Sequence, residues 1–462
     1  MSLKVAIQKL IVDHHLTPTQ IRGQGYDGAS NMKGEIKGLK TLIMQQSPSA
    51  YYIHCFAHQL QLVLVAVVKD NEPCAWFFDH VSYLLNIVGV SCKRHDMLRD
   101  VRAQKVLEAL DMGELESGSG LNQEMGLSRP GDTRWGSHFK TISHILDMYP
   151  TILEVLVRIG KDPSQRSEWT RIRSVASSFE SFDFVFDLHL MIVILGYTND
   201  LSQALQKREQ DIVNAMALVA LAKDNMRRMR SNGWDGFLAK VTLFCNKHGI
   251  EVPSPEENYV AHGRSHRYYE IQTNDDRYRR EVYLGVLDQI IQELDNRFDE
   301  VNMELLICIA ALNPSNSFAS YDAQKVMRLA QLYLDDISSV NLIRLEFQLD
   351  TFIHDMRKYD RFKCINHLGE LSVMLVETKK HVVYDLVYTL LKLILILPVA
   401  TASVERVFSA MSLVKDKLRN SMGDKLLNHC LVTFIERDVF LQASEDDMVE
   451  AFMAMRQRRV KR

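Results

Sequence analysis

The sequence lacks a long hydrophobic run. Among its 462 residues, the stretch Leu393 to Ala400 is one of the most continuous apolar segments. It contains Pro398 and falls far short of the ~20 residues that a membrane-spanning helix needs. No bilayer-crossing segment is therefore expected. The opening residues, Met-Ser-Leu-Lys-Val-Ala-Ile-Gln-Lys-Leu, break their apolar positions with two lysines and a glutamine, so they cannot form the apolar core of a signal peptide. An excess of one charge is also missing. The 55 Lys and Arg residues face 58 Asp and Glu, a net charge of −3, so any nucleic-acid contact must come from local clusters. Cysteine is scarce. Seven cysteines, at 55, 74, 92, 245, 308, 364 and 430, are odd in number and scattered, which excludes the disulfide framework of a small secreted domain and points to a reducing compartment. Compositional bias is absent as well: 47% hydrophobic and 24% charged residues exclude disordered, collagen-like and low-complexity chains.

What is present is a patterned globular chain, long enough for about three domains. Leu3, Ala6, Ile7, Leu10 and Ile11 recur with helical spacing behind Ser2, so an amphipathic helix is predicted to end before Pro18. An extended stretch around Gln20 to Gly25 precedes a helix opened by Gly28-Ala-Ser-Asn31. A second strand, Ala50 to Cys55, leads into a helix from His58 to Val68 with Leu60, Val63, Leu64 and Val67 on one stripe. Helix, strand, helix, strand, helix is the order of a parallel α/β layer. Two strands are fewer than an independently stable sheet usually has, so the α/β unit is expected to be incomplete. From Trp76 to Leu397 the period is helical, apart from irregular stretches near Gly113 to Gly131 and Lys247 to Asp276. Its clearest stripe is Val282, Val286, Ile290, Leu294 and Phe298. Ala402 to Phe440 adds two amphipathic helices, the second opened by Gly423-Asp424. The expected fold is mainly α with a small α/β part. Its expected organisation is a partial core over 1–75, an all-α region over 76–390, C-terminal helices over 391–445 and a basic tail over 446–462.

Several short motifs carry chemistry. Gly23-Gln-Gly25-Tyr-Asp-Gly28 matches G-x-G-x-x-G formally. Asp27, however, would point its charge at a pyrophosphate, and no acid follows over Met44 to Ala50 where a ribose partner is needed. A dinucleotide site is therefore rejected. A carboxylate at a strand end beside a helix start is placed either to hold a divalent cation or to cap the helix. Cys55-Phe-Ala-His58 and Cys92-Lys-Arg-His95 together have the donors of a tetrahedral zinc site, the alternative being buried thiols with hydrogen-bonded histidines. Asp132-Thr-Arg134-Trp135 follows Arg129-Pro-Gly131 and presents a guanidinium and an indole beside a turn. They are suited to a phosphate and a base, or to packing alone. Glu405 sits in the first turn of a helix behind Pro398, where the helix dipole favours its ionised form. Basic clusters for weak, salt-sensitive DNA binding are Arg227, Arg228 and Arg230, then Arg264, Arg267, Arg277, Arg279 and Arg280, and the tail Arg456, Arg458, Arg459, Lys461 and Arg462.

The order Gly25-Tyr-Asp27-Gly-Ala-Ser-Asn31-Met, His54-Cys55-Phe-Ala-His58, Asp132-Thr-Arg-Trp135 and Ser403-Val-Glu405-Arg-Val-Phe-Ser409 resembles that of hAT-superfamily transposases. More narrowly it is similar to the plant branch with a TTF-type zinc finger and a hAT C-terminal dimerisation region. The resemblance implies an RNase H-like core interrupted by an all-α insertion, with Asp, Asp and Glu around two divalent metals, Mg2+ or Mn2+. Asp27 matches the second aspartate and Glu405 the glutamate, so the two are expected to approach one another and to hold a cation weakly. Cys55 and His58 match the C-x-x-H pair near the core. Arg134 and Trp135 match the pair that supports a distorted base, and Leu393 to Phe440 matches the dimerisation helices. The family's first aspartate and its finger lie upstream of the helix that begins at Ser2, and Asp13, at a helix end, cannot replace a strand-borne acid.

The resemblance therefore implies a catalytically inactive fragment or domesticated remnant. It would be nuclear, would self-associate through Leu427, Leu431, Phe434 and Ile435, and would bind DNA weakly and without specificity. No membrane partner and no small-molecule cofactor are expected. The other reading is part of an active DDE transposase whose first aspartate and finger lie in upstream sequence.

Overall fold

The computed structural model describes residues 3–89, 91–113, 126, 127, 129, 135–162, 168–207, 210–260, 272–299, 303–416 and 419–455. The chain separates into two compact units, Met1–Val399 and Ala400–Arg462. In the first unit the alternation read from the sequence becomes α1 (Leu3–Asp13), β1 (Gly23–Tyr26), α2 (Ser30–Lys33), α3 (Leu39–Met44), β2 (Tyr51–His54) and α4 (Phe56–Asp70). The strands are parallel, with Gly23 opposite Tyr51 and Tyr26 opposite His54. The single helix expected after Gly28 is two short ones, because the chain turns between them and the Gly38 N–H returns to the Gly34 carbonyl at 3.0 Å.

The sheet is small but anchored on several sides. Leu39, Ile43 and Ala50 form their own cluster with Ile7, Ile21 and Tyr26, while Ile53 and the stripe Leu60, Val63, Leu64 and Val67 of α4 join the main core. Arg22 Nε meets Asp336 Oδ2 at 2.5 Å, and the Tyr51 hydroxyl donates to the Leu332 carbonyl at 2.8 Å. The last segment of the unit returns to the strands: the Phe56 N–H donates to the Val399 carbonyl at 3.0 Å. Gly25 permits that return, since an ideal Cβ there would stand 2.6 Å from Cγ of Pro398. Pro398 is thus the residue laid against the strand.

The all-α region continues with α5 (Glu72–Gly89), α6 (Cys92–Asp111), α7 (Trp135–Asp147), α8 (Tyr149–Lys161), α9 (Trp169–Phe179), α10 (Phe182–Leu205), α11 (Ile212–Asn232) and α12 (Trp234–His248). A π-helical segment, Asp276–Leu284, then leads into α13 (Gly285–Asp299). The axis is α10, capped by Ser181 Oγ, which accepts from the Phe184 N–H at 3.3 Å. It packs against α4, α5, α7, α9, α11 and α12. Its length and composition would suit a membrane span, yet 61% of its most apolar window is buried inside the protein. A helix apolar on all sides suits a core as well as it suits a bilayer, and here the other helices cover it. The stripe Val282, Val286, Ile290 and Leu294 is buried as expected, although its first member lies in the π-helical turn rather than in α13.

The second unit contains helices Ala402–Val414, Asp424–Ile435, Arg437–Phe440 and Glu445–Ala454. Among its described residues only Ala410 is buried. The protein is therefore mainly helical, with one two-stranded parallel sheet among the described residues.

Candidate functional site: a cleft at the end of the sheet

The carboxyl ends of β1 and β2 open into a cleft of about 360 Å³ lined by Asp27, Gly28, Lys33, His54, His58 and Arg297, among others. Parallel pairing builds it. Tyr26 and His54 are register partners, so Asp27, one residue further on, emerges beside His54. The first turn of α4 adds His58. The Asp27 side chain is exposed, and its Oδ1 accepts from the Ala29 N–H at 3.3 Å, a local turn contact rather than a helix cap, since the N-cap of α2 is Ala29.

His54 is held firmly in this cleft. Its ring stacks with Tyr52 at 6.3 Å, Tyr52 stacks in turn on Tyr26 at 6.0 Å, and His58 lies 5.7 Å away. Gln59 donates from Nε2 to the His54 carbonyl at 3.1 Å. An ideal Cβ on Gly28 would stand 3.1 Å from His54 Nε2 and 3.8 Å from Lys33 Nζ, so a bare glycine leaves room for both groups. The His54 Nε2 atom is buried and has no hydrogen-bond partner. Burial lowers the imidazole from 6.5 to about 4, assisted by the positive neighbours His58, Lys33 and Arg297 and opposed by Asp27.

Arg297 comes from the all-α region, near the end of α13. That helix packs on α4, and Phe298 meets Phe56 edge to face at 5.5 Å. Glu293, one turn back, holds the guanidinium through Nε and Nη2 at 2.9 Å each. Sequence reading found Asp27 and His58 but missed His54, Lys33 and Arg297. The strand register would have pointed to His54, whereas nothing local to Arg297 announces its place.

Cys55 is buried and Cys92 is exposed at the start of α6. Among the described residues no three His, Cys, Asp or Glu side chains are grouped to hold a metal. Among the described residues the two C-x-x-H pairs are not gathered into one site: the first closes β2 and opens α4, while the second begins α6, with α5 between them in the chain. The same donor set does not fit a two-metal centre, since one exposed carboxylate supplies too few charged oxygens. Glu405 is half-buried in the first turn of helix Ala402–Val414 and lies in the second unit. Arg134 lies outside the described residues, as does the side chain of Trp135, whose backbone opens α7.

The basic clusters look different once folded. Arg227 pairs with Asp224 at 3.2 Å and with Asp295 at 3.3 Å, Arg230 pairs with Asp288, Arg277 with Glu281 at 2.7 Å and Arg280 with Asp276 at 2.9 Å. Arg228 bonds Asn225 at 2.6 Å, and Arg279 lies over Trp234 at 5.7 Å. Acids one turn away or on a neighbouring helix thus offset much of this positive charge. Arg264, Arg267 and the basic tail lie outside the described residues. In the second unit, Leu427 and Leu431 are half-buried, and Phe434 and Ile435 are exposed.

Residues 355–439 match the hAT family C-terminal dimerisation region, and residues 1–38 match the ZMYM1/FAM200, RNase-like domain. The chain is a hAT-derived, transposase-like protein. It is similar to the human "52 kDa repressor of the inhibitor of the protein kinase", 20% identical across 94% of this chain and 55% of that protein. It is also similar to the mouse protein of the same name, at 20% identity across 96% of this chain and 58% of that one. The hAT-derived chain thus spans a little over half the length of these curated relatives.

Proposed function

We propose that this hAT-derived protein is a non-catalytic, nuclear self-association module with weak nucleic-acid binding. One observation carries the reading: the second unit, whose residues 400–439 fall within the matched dimerisation region, leaves large apolar side chains uncovered. Val404, Phe408, Leu413, Val432, Phe434 and Val439 are all exposed, and the last three helices of the unit bury no residue. Helices that bury so little cannot offset the entropy of ordering their chain, so a second copy supplies the missing cover. The printed name of the two relatives, a repressor, supports a regulatory rather than a catalytic role.

Among the described residues Asp27 is the one acid that lines the cleft, which supports feeble Mg2+ or Mn2+ binding at most. The test is Phe434→Glu. It should abolish self-association while leaving the helical content of the first unit intact, and an unchanged association state would contradict the reading. The alternative is a part of an active DDE transposase, favoured by the preserved setting of Asp27 at a strand end beside cationic side chains. Nicking of a transposon-end duplex with Mn2+, abolished by Glu405→Gln, would establish it.

A further inference from the structure

We propose that the cleft at the sheet end is a phosphodiester-binding site in which Lys33 and Arg297 neutralise one phosphate and His54 Nε2 supplies a third contact. The inference rests on the nucleic-acid-binding part of the function proposed above and names the residues that would perform it. Three observations converge on it. The cleft has the size of a small-ligand site and is lined by two basic side chains, Lys33 and Arg297, from different parts of the chain. A buried imidazole nitrogen inside it has no partner, and an unpaired buried polar atom is costly unless something outside the chain satisfies it. Arg297 shares two of its N–H groups with Glu293, as the surface arginines share theirs with carboxylates, but the cleft adds Lys33 and an unpartnered imidazole nitrogen, so it gathers more donors for an anion than those ion pairs do.

The chemistry distinguishes the roles. Arg297 retains donors beyond the two that Glu293 occupies, because a guanidinium carries five N–H groups in a planar fork. Lys33 Nζ and His54 Nε2 both lie close to the bare Cα of Gly28, so the two donors line the same part of the cleft. The neutral imidazole donates through Nε2–H when its other nitrogen carries no proton. Asp27, on the rim, repels an anion and sets its approach from the Lys33 and Arg297 side. Arg297 is a phosphate-contacting residue contributed by the all-α region, and it makes the cleft dependent on the docking of α13 against α4.

The experiment measures anisotropy of a fluorescein-labelled single-stranded 20-mer with the full chain between about 50 and 200 mM salt. Alongside it, inorganic phosphate is titrated while the His54 ring resonance is observed. Arg297→Gln and Lys33→Gln should each weaken binding about tenfold at low salt and make the log–log salt slope shallower by about 0.7, the value for one lost single-strand phosphate contact. Arg297→Lys should keep the slope. Glu293→Gln removes the same intrahelical pair and should not weaken binding, which separates loss of the phosphate contact from loss of helix stability. Arg227→Gln, at an ion-paired site, should change little. If wild type binds the oligonucleotide but Arg297→Gln and Lys33→Gln leave affinity and slope unchanged, the inference is wrong and the proposed function stands. If wild type does not bind the oligonucleotide, nucleic-acid binding itself is refuted. A phosphate-induced shift of His54 would then reassign the cleft to a free phosphate, and no shift would overturn the anion site altogether.

Discussion

Replacing Gly25 by alanine should loosen the sheet from the segment that follows the last helix of the first unit. The added Cβ would stand 2.6 and 2.8 Å from Cγ and Cβ of Pro398, closer than real Cβ contacts come. Neither partner can rotate away, because a proline ring is rigid and Gly25 is register-paired with Ile53. Overpacking of this kind costs about 1–3 kcal/mol. The strain should be relieved by moving residues 397–399 outward, which breaks the 3.0 Å bond from the Phe56 N–H to the Val399 carbonyl. The assay is native-state hydrogen exchange of the Phe56 amide. A cost of 1–3 kcal/mol corresponds to exchange faster by roughly 5- to 150-fold if opening is local. Gly23→Ala meets Leu397 and Pro398 only at 3.2 and 3.3 Å and should accelerate the same amide far less. Equal protection in Gly25→Ala and wild type would refute the close approach on which the argument depends.

Further consequences concern buried groups. His54 should remain neutral in an NMR pH titration until about pH 4, since burial, His58, Lys33 and Arg297 outweigh Asp27. Its folded value lies below the ordinary 6.5, so its contribution to stability is present above that value and is lost as pH falls towards 4; a titration near 6.5 would contradict the burial. Asp187 on α10 is 6% exposed and burial holds it well above the carboxylate range, so its penalty appears as pH rises. Asp187→Asn should raise the melting temperature more at pH 8 than at pH 5, and no pH dependence of the gain would contradict this. Phe184 is fully buried and stacks on Phe179 at 3.9 Å, so Phe184→Ala should cost about 3–5 kcal/mol in chemical denaturation; a cost under about 1 kcal/mol would show that the α9–α10 contact is dispensable.

The local parts of this structure were legible before folding was considered. Alternation of helical and extended stretches gave the parallel pair, and three-to-four spacing gave the buried face of α4. The glycines around Asp27 marked the strand end that became one wall of the cleft. What was illegible depended on long-range placement. Arg297 is 270 residues from Asp27 in sequence, and only the packing of α13 on α4 brings it to the sheet. The arginine clusters read as basic because some of their acidic partners, Asp288 and Asp295, sit on another helix, and the nearer ones, Asp224, Asp276 and Glu281, were not counted against them. The C-x-x-H pairs satisfied a spacing rule that says nothing about whether α5 separates them. A continuous periodic stripe also concealed the π-helical turn before α13, since one extra residue per turn shifts the period too little to show over two turns.

The most direct measurement is sedimentation equilibrium of the full chain from about 1 to 50 µM, a range that reports association free energies of about 6–8 kcal/mol. The exposed apolar helices of the second unit predict a concentration-dependent dimer across that range. A single species at the monomer mass throughout would contradict the account.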